Sequence, residues 1–90
     1  MIINNIYYDD DFVSDLKKLE KDMQVRVCSK LDIFKDNPLH PSLRLHMLKG
    51  KLKGLWSISI SGGCRIIFKS EARGDIILLS VGKHDIYRNL

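Results

Sequence analysis

Ninety residues, 44% of them apolar, 29% charged and two of them cysteine, fit a single small domain over residues 1–90. They exclude a second domain or a deep cofactor pocket, since so short a chain buries only about two-thirds of its unfolded surface. The net charge of +4 is uneven: residues 1–36 hold eight acids and six bases and residues 37–90 three acids and nine bases, so −2 faces +6.

An opening strand is predicted from Ile2, Ile3, Ile6, Tyr7 and Tyr8, which are β-branched or aromatic. The Asp9-Asp10-Asp11 cluster stops it and caps a helix, because an aspartate oxygen takes the free amides of a first turn and suits the positive end of the helix dipole. Phe12, Leu16, Leu19, Met23, Val27, Leu31 and Phe34 then recur at intervals of three or four, one helical stripe that ends at Asn37-Pro38. No Gly or Pro interrupts it, but one helix of that length is about twice the usual. Two helices joined near Glu20 to Asp22 are therefore expected.

After the His40-Pro41 loop, Leu43, Leu45, Met47 and Leu48 alternate imperfectly around Arg44 and His46, a run too short to classify. Lys49-Gly50-Lys51-Leu52-Lys53-Gly54 reads as an exposed turn, and three strands follow. Leu55 to Ile60 and Cys64 to Lys69 alternate; Asp75 to Val81 is apolar on both faces, as a strand inside a sheet should be. A three-residue loop at Ser61-Gly62-Gly63 would pair Ile60 with Cys64 and Ser59 with Arg65, whereas a two-residue loop would set Ile60 beside Arg65 and mix the faces. The three-residue register is the expected one. It gathers Arg65, Ser59 and Ser57 on the less apolar face, which His84 and Tyr87 of the polar tail are positioned to reach.

Cys28 and Cys64, without CxxC spacing or a secretory leader, read as two buried thiols in a reducing compartment. No apolar run is long enough to span a bilayer, so a cytoplasmic protein without a membrane partner is expected. Neither cysteine lies near a histidine in sequence, so no metal site is expected, and no glycine-rich phosphate loop occurs.

The basic segment suggests nucleic acid or an acidic protein segment as partner. Metal-free cleavage of RNA needs a base for the 2′-hydroxyl, cationic donors for the pentacoordinate phosphate and an acid for the leaving oxygen. His46 and His84 suit the proton transfers and Arg65 the phosphate. Lys49, Lys51 and Lys53 suit the RNA backbone, and Tyr87 or Trp56 a base. Structural readings stand beside these: Trp56 as core, the lysines as a solvated turn, Arg65 in a surface ion pair with Asp75 or Glu71, and His46 as an ordinary surface histidine. His40 is assigned to the loop with no function.

In order, a short strand, two helices, Leu48-Lys49-Gly50, Gly54-Leu55-Trp56-Ser57-Ile58, Cys64-Arg65-Ile66-Ile67-Phe68 and Val81-Gly82-Lys83-His84 with Tyr87-Arg88 resemble the RelE/ParE superfamily of bacterial toxin–antitoxin modules. The resemblance covers nearly the whole chain. It implies an α+β fold, a small antiparallel-rich sheet with an N-terminal helical hairpin packed on it, in the order β-α-α-β-β-β. It also implies a ribosome-dependent mRNA endonuclease that works in the A site without metal or cofactor, by 2′-hydroxyl attack, silenced in a hetero-oligomer with a cognate antitoxin. The superfamily's other branch poisons DNA gyrase, so a non-catalytic ParE-like inhibitor or a degenerate, antitoxin-binding chain is the alternative. Carried over, Arg65 takes the scissile-phosphate position, His84 the C-terminal active-site position, His46 a histidine of YafQ-like members, and Tyr87 the C-terminal aromatic. Ser57 and Ser59 stand where RelE has lysines.

Overall fold

The computed structural model describes residues 1–83. Strand β1 (Asn5–Tyr8) leads into helices α1 (Asp10–Lys18) and α2 (Lys21–Asp36), followed by β2 (His46–Met47), β3 (Leu55–Ser61), β4 (Cys64–Glu71) and β5 (Asp75–Gly82). The five strands form one sheet in the order β1-β5-β4-β3-β2. Only β1 and β5 pair in parallel; β2 to β5 run antiparallel in succession. The α+β architecture is the expected one, with one addition: the unclassified segment around His46 supplies a two-residue edge strand paired through His46–Ser57 and Met47–Trp56.

Local chemistry explains the helical hairpin. Asp9 caps α1, its carboxylate accepting from the Asp11 amide at 3.3 Å. The chain then breaks at Leu19 and Glu20, whose ψ angles near 150° are extended. Gln24 compensates at this join, because its side-chain amide donates to the Leu19 carbonyl at 2.9 Å. All seven stripe residues face inward across the break: Phe12, Val27, Leu31 and Phe34 are buried, and Leu16, Leu19 and Met23 pack against them. They meet Ile58, Ile60, Cys64, Ile66, Phe68, Ile76, Leu78 and Val81 from one face of the sheet. Phe34 and Phe68 are tilted rings with centroids 5.0 Å apart. Trp56 is half-buried against this core, in keeping with its structural reading.

The β3–β4 hairpin corrects one expectation. Its turn has two residues, Gly62 and Gly63, with φ of +51° and +87°, so Ser61 pairs with Cys64. A bulge at Ile60 absorbs the odd residue and restores the Ser59–Arg65 pairing. The faces therefore stay unmixed, and Ile60 remains 4% exposed.

Position 74 ties β1 to the rest. Gly74 has φ +77°, and a Cβ there would stand 2.6 Å from the Ile2 carbonyl oxygen. Its own carbonyl accepts from the Asn4 amide at 2.9 Å. Beyond the end of β1, the Asp15 carboxylate of α1 accepts from the Ser80 hydroxyl at 2.8 Å and the Val81 amide at 3.3 Å.

Candidate nucleic-acid interface

Residues that pair across a ladder share a face, so Arg65, Ser59, Ser57 and His46 all lie on the side of the sheet turned away from the helices. His46 and Arg65 are two strands apart and two residues offset. Sheet spacing places their backbones about 12 Å from each other, a gap that the two side chains can close around a phosphate.

His46 is exposed, and its Nδ1 lies 3.1 Å from the Arg44 carbonyl oxygen. A carbonyl only accepts, so Nδ1 carries the proton and Nε2 is left as the unprotonated acceptor of the neutral ring. His40 shows the reverse tautomer. Its Nδ1 accepts from the Ser42 amide at 3.1 Å and caps the turn at Pro41–Leu43, so His40 has a structural job that the loop assignment missed.

Arg65 is half-buried and lines a cleft of about 340 Å³ with Ser42, Arg44, Ser59, Ser61 and the Gly62–Gly63 turn. It makes no ion pair among the described residues. Its two suggested partners are engaged elsewhere: Glu71 with Lys69 at 3.2 Å, and Asp75 with the Asn5 side-chain amide at 3.1 Å. The surface-salt-bridge reading of Arg65 therefore fails.

Ser57 and Ser59 differ in access. Ser59 lines the cleft, whereas Ser57 is fully buried in a row with Ile67 and Ser80, and its hydroxyl finds no partner among the described residues. The face that the alternation marked as polar is thus closed at its middle, and Ser57 is unable to touch a substrate.

Lys49, Lys51 and Lys53 are all exposed around the turn at Gly50–Leu52. They sit at the Leu55 end of β3, while Arg65 pairs near its other end. The structure does not gather them with Arg65. Lysine loop, His46 and arginine cleft instead follow one another along the β3 direction, over about 20 Å. His84 and Tyr87 lie outside the described residues. Arg44 is the functional candidate that the sequence pattern conceals: it stands between Leu43 and Leu45 in an imperfect alternation, and its left-handed backbone (φ +47°, ψ 45°) has no sequence signal in an arginine.

Of the two thiols expected to be buried, one departs and one does not. Cys28 is exposed, because it follows Val27 by one residue and so turns about 100° away from the buried stripe. Cys64 is 2% exposed, and burial pushes its thiol above the ordinary range, partly opposed by Lys83. Iodoacetamide should therefore alkylate Cys28 promptly and Cys64 only after unfolding, which mass spectrometry of the native and denatured protein would check.

No family model and no curated protein matches the sequence. Solved structures do match. A YoeB/ParE toxin from Agrobacterium tumefaciens superposes with a TM-score of 0.75 at 16% identity, over 90% of this chain and 99% of that one. YafQ from E. coli strain BL21(DE3) gives 0.74 at 19% identity, over 89% and 92%.

The chain has the RelE/ParE toxin fold.

A YoeB–YefM complex from Staphylococcus aureus adds a third likeness, at 0.71 and 22% identity over 93% and 99% of the two chains. The coverage shows that the RelE/ParE fold accounts for essentially the whole described chain. Among the described residues no three His, Cys, Asp or Glu side chains converge as metal ligands, and no helix is long and apolar enough to cross a membrane.

Proposed function

We propose that this chain is the toxin of a type II toxin–antitoxin module, a cytoplasmic endoribonuclease that cuts mRNA in the ribosomal A site without metal. The observation that carries the reading is the placement, on one face of a RelE/ParE fold, of Arg65 and, two strands away, a histidine whose Nε2 is free to accept a proton. His46 takes the proton of the 2′-hydroxyl, and the 2′-oxygen attacks the adjacent phosphorus. Arg65 holds the phosphorane oxygens, a fixed fork of donors for charge that develops in the transition state. The bond from phosphorus to the 5′-oxygen breaks as His84 supplies the leaving group's proton, giving a 2′,3′-cyclic phosphate and a 5′-hydroxyl. Tyr87 is assigned to the substrate base, and Lys49, Lys51 and Lys53 to the RNA backbone. A cognate antitoxin is the expected partner, as one is for the similar YoeB in its complex with YefM.

Mapping mRNA ends on translating ribosomes after induction tests the reading. Wild type should generate 5′-hydroxyl ends within A-site codons, and His84→Ala should not. A DNA-damage response with intact messages would overturn it in favour of gyrase inhibition.

A further inference from the structure

The cleft beside Arg65 contains more cationic machinery than one scissile phosphate requires. Arg44 lines it with Arg65, no carboxylate among the described residues lines it, and the Ser42, Ser59 and Ser61 hydroxyls complete its polar wall. A third guanidinium stands behind the wall: Arg26 of α2 donates to the Ser61 hydroxyl oxygen at 3.0 Å. Accepting that bond leaves the Ser61 O–H polarised and available to donate. Asp22, one helical turn before Arg26, forms no ion pair with it among the described residues, so the positive charge is not cancelled locally.

Arg44 is held in the left-handed region, at a cost of about 1 kcal/mol for a residue with a Cβ. Such a conformation persists where the surroundings impose it, here through its amide bond to the Pro41 carbonyl at 3.2 Å. The volume of about 340 Å³ falls at the small end of ligand sites, room for one nucleotide unit.

Resting on the RNA-cleavage reading, we propose that this cleft is a second phosphate subsite, in which Arg44, backed by Arg26 and Ser61, binds the backbone phosphate next to the one that Arg65 engages. Guanidinium forks and hydroxyl donors match phosphate oxygens, and Arg65 is shared between the two positions. The site selects for a strand with successive phosphodiesters and adds affinity without base preference.

The test is the salt dependence of binding to a 2′-O-methyl RNA hexamer, which is not cleavable, followed by fluorescence anisotropy. Each lost phosphate contact to a single strand should flatten the slope of log K against log salt by about 0.7. Arg44→Gln should show that loss and about fivefold weaker binding at 0.1 M salt, and adding Arg26→Gln, which acts through Ser61 and touches no phosphate, should weaken binding further with the slope held at the Arg44→Gln value. Arg44→Lys, keeping the charge, should retain the wild-type slope, and Lys17→Gln on α1 should leave it unchanged.

Equal slopes for wild type and Arg44→Gln would overturn the subsite, as would competition by hexaglutamate as strong as by unlabelled RNA. Sensitivity of inorganic phosphate binding to Arg44→Gln without any effect on the hexamer would also overturn it. So would a wild type that ignores the hexamer, while ribosomal cleavage would still be judged by the mapping of mRNA ends.

Discussion

Replacing His46 with alanine should slow single-turnover cleavage of ribosome-bound mRNA by about 10²–10⁴-fold, the usual contribution of a positioned proton-transfer group. The tautomer makes His46 the base: the Arg44 carbonyl occupies Nδ1–H and leaves Nε2 as the acceptor. Arg65→Ala should cost about 10²–10³-fold through lost charge stabilisation, and Arg65→Lys should recover only part of that, because a lysine lacks the planar fork. The two losses should not add in the double variant, since both residues act on one transition state. Wild-type rates in both single variants, with unchanged melting behaviour, would remove these residues from the catalytic set.

Phe68→Ala should lower the unfolding free energy by about 3–5 kcal/mol, out of a total of roughly 5–13 kcal/mol expected for a chain of this length. Phe68 is fully buried at the centre of the sheet and packs its ring on Phe34, so both surface burial and an aromatic contact are lost and a cavity remains. The midpoint of urea unfolding should fall by at least about 1 M. Phe68→Leu, which keeps most of the volume, should cost about 1–2 kcal/mol. A midpoint for the alanine variant within error of wild type would show that the interface between α2 and the sheet contributes less than its burial implies.

Most of the fold was legible because it is written in periodicity. Every residue of the stripe from Phe12 to Phe34 packs inward, since three- and four-residue spacing leaves a helix only one apolar side. The strand β2 was not legible: two residues carry no period, and His46–Met47 pairs only because β3 offers an edge. Ser57 misled for a related reason. Its hydroxyl marks a polar face locally, yet its row is buried beside Ile67, which a two-state alternation does not foresee. The turn was half legible, since alternation on both strands demanded Ser59 opposite Arg65, and the chain satisfied that demand with a bulge instead of a longer loop.

The candidate site divides in the same way. His46 and Arg65 were recognisable as residue types and as positions of a resemblance. Arg44 and Arg26 were not, because their roles depend on a backbone angle and on a contact between residues 35 positions apart. Three guanidiniums meeting at one turn is a property of the fold alone.

The parallel pairing of β1 with β5 joins residues 70 positions apart. The first strand thus waits for the last before it can dock, and until then α1 has no β5 against which to lay Asp15. Such distant pairing slows folding, because the loop entropy is spent before the contact forms. The consequence is an order of assembly: the strands that display His46 and Arg65 pair with near neighbours in sequence, whereas the docking of β1 and the Asp15 contact of α1 come last.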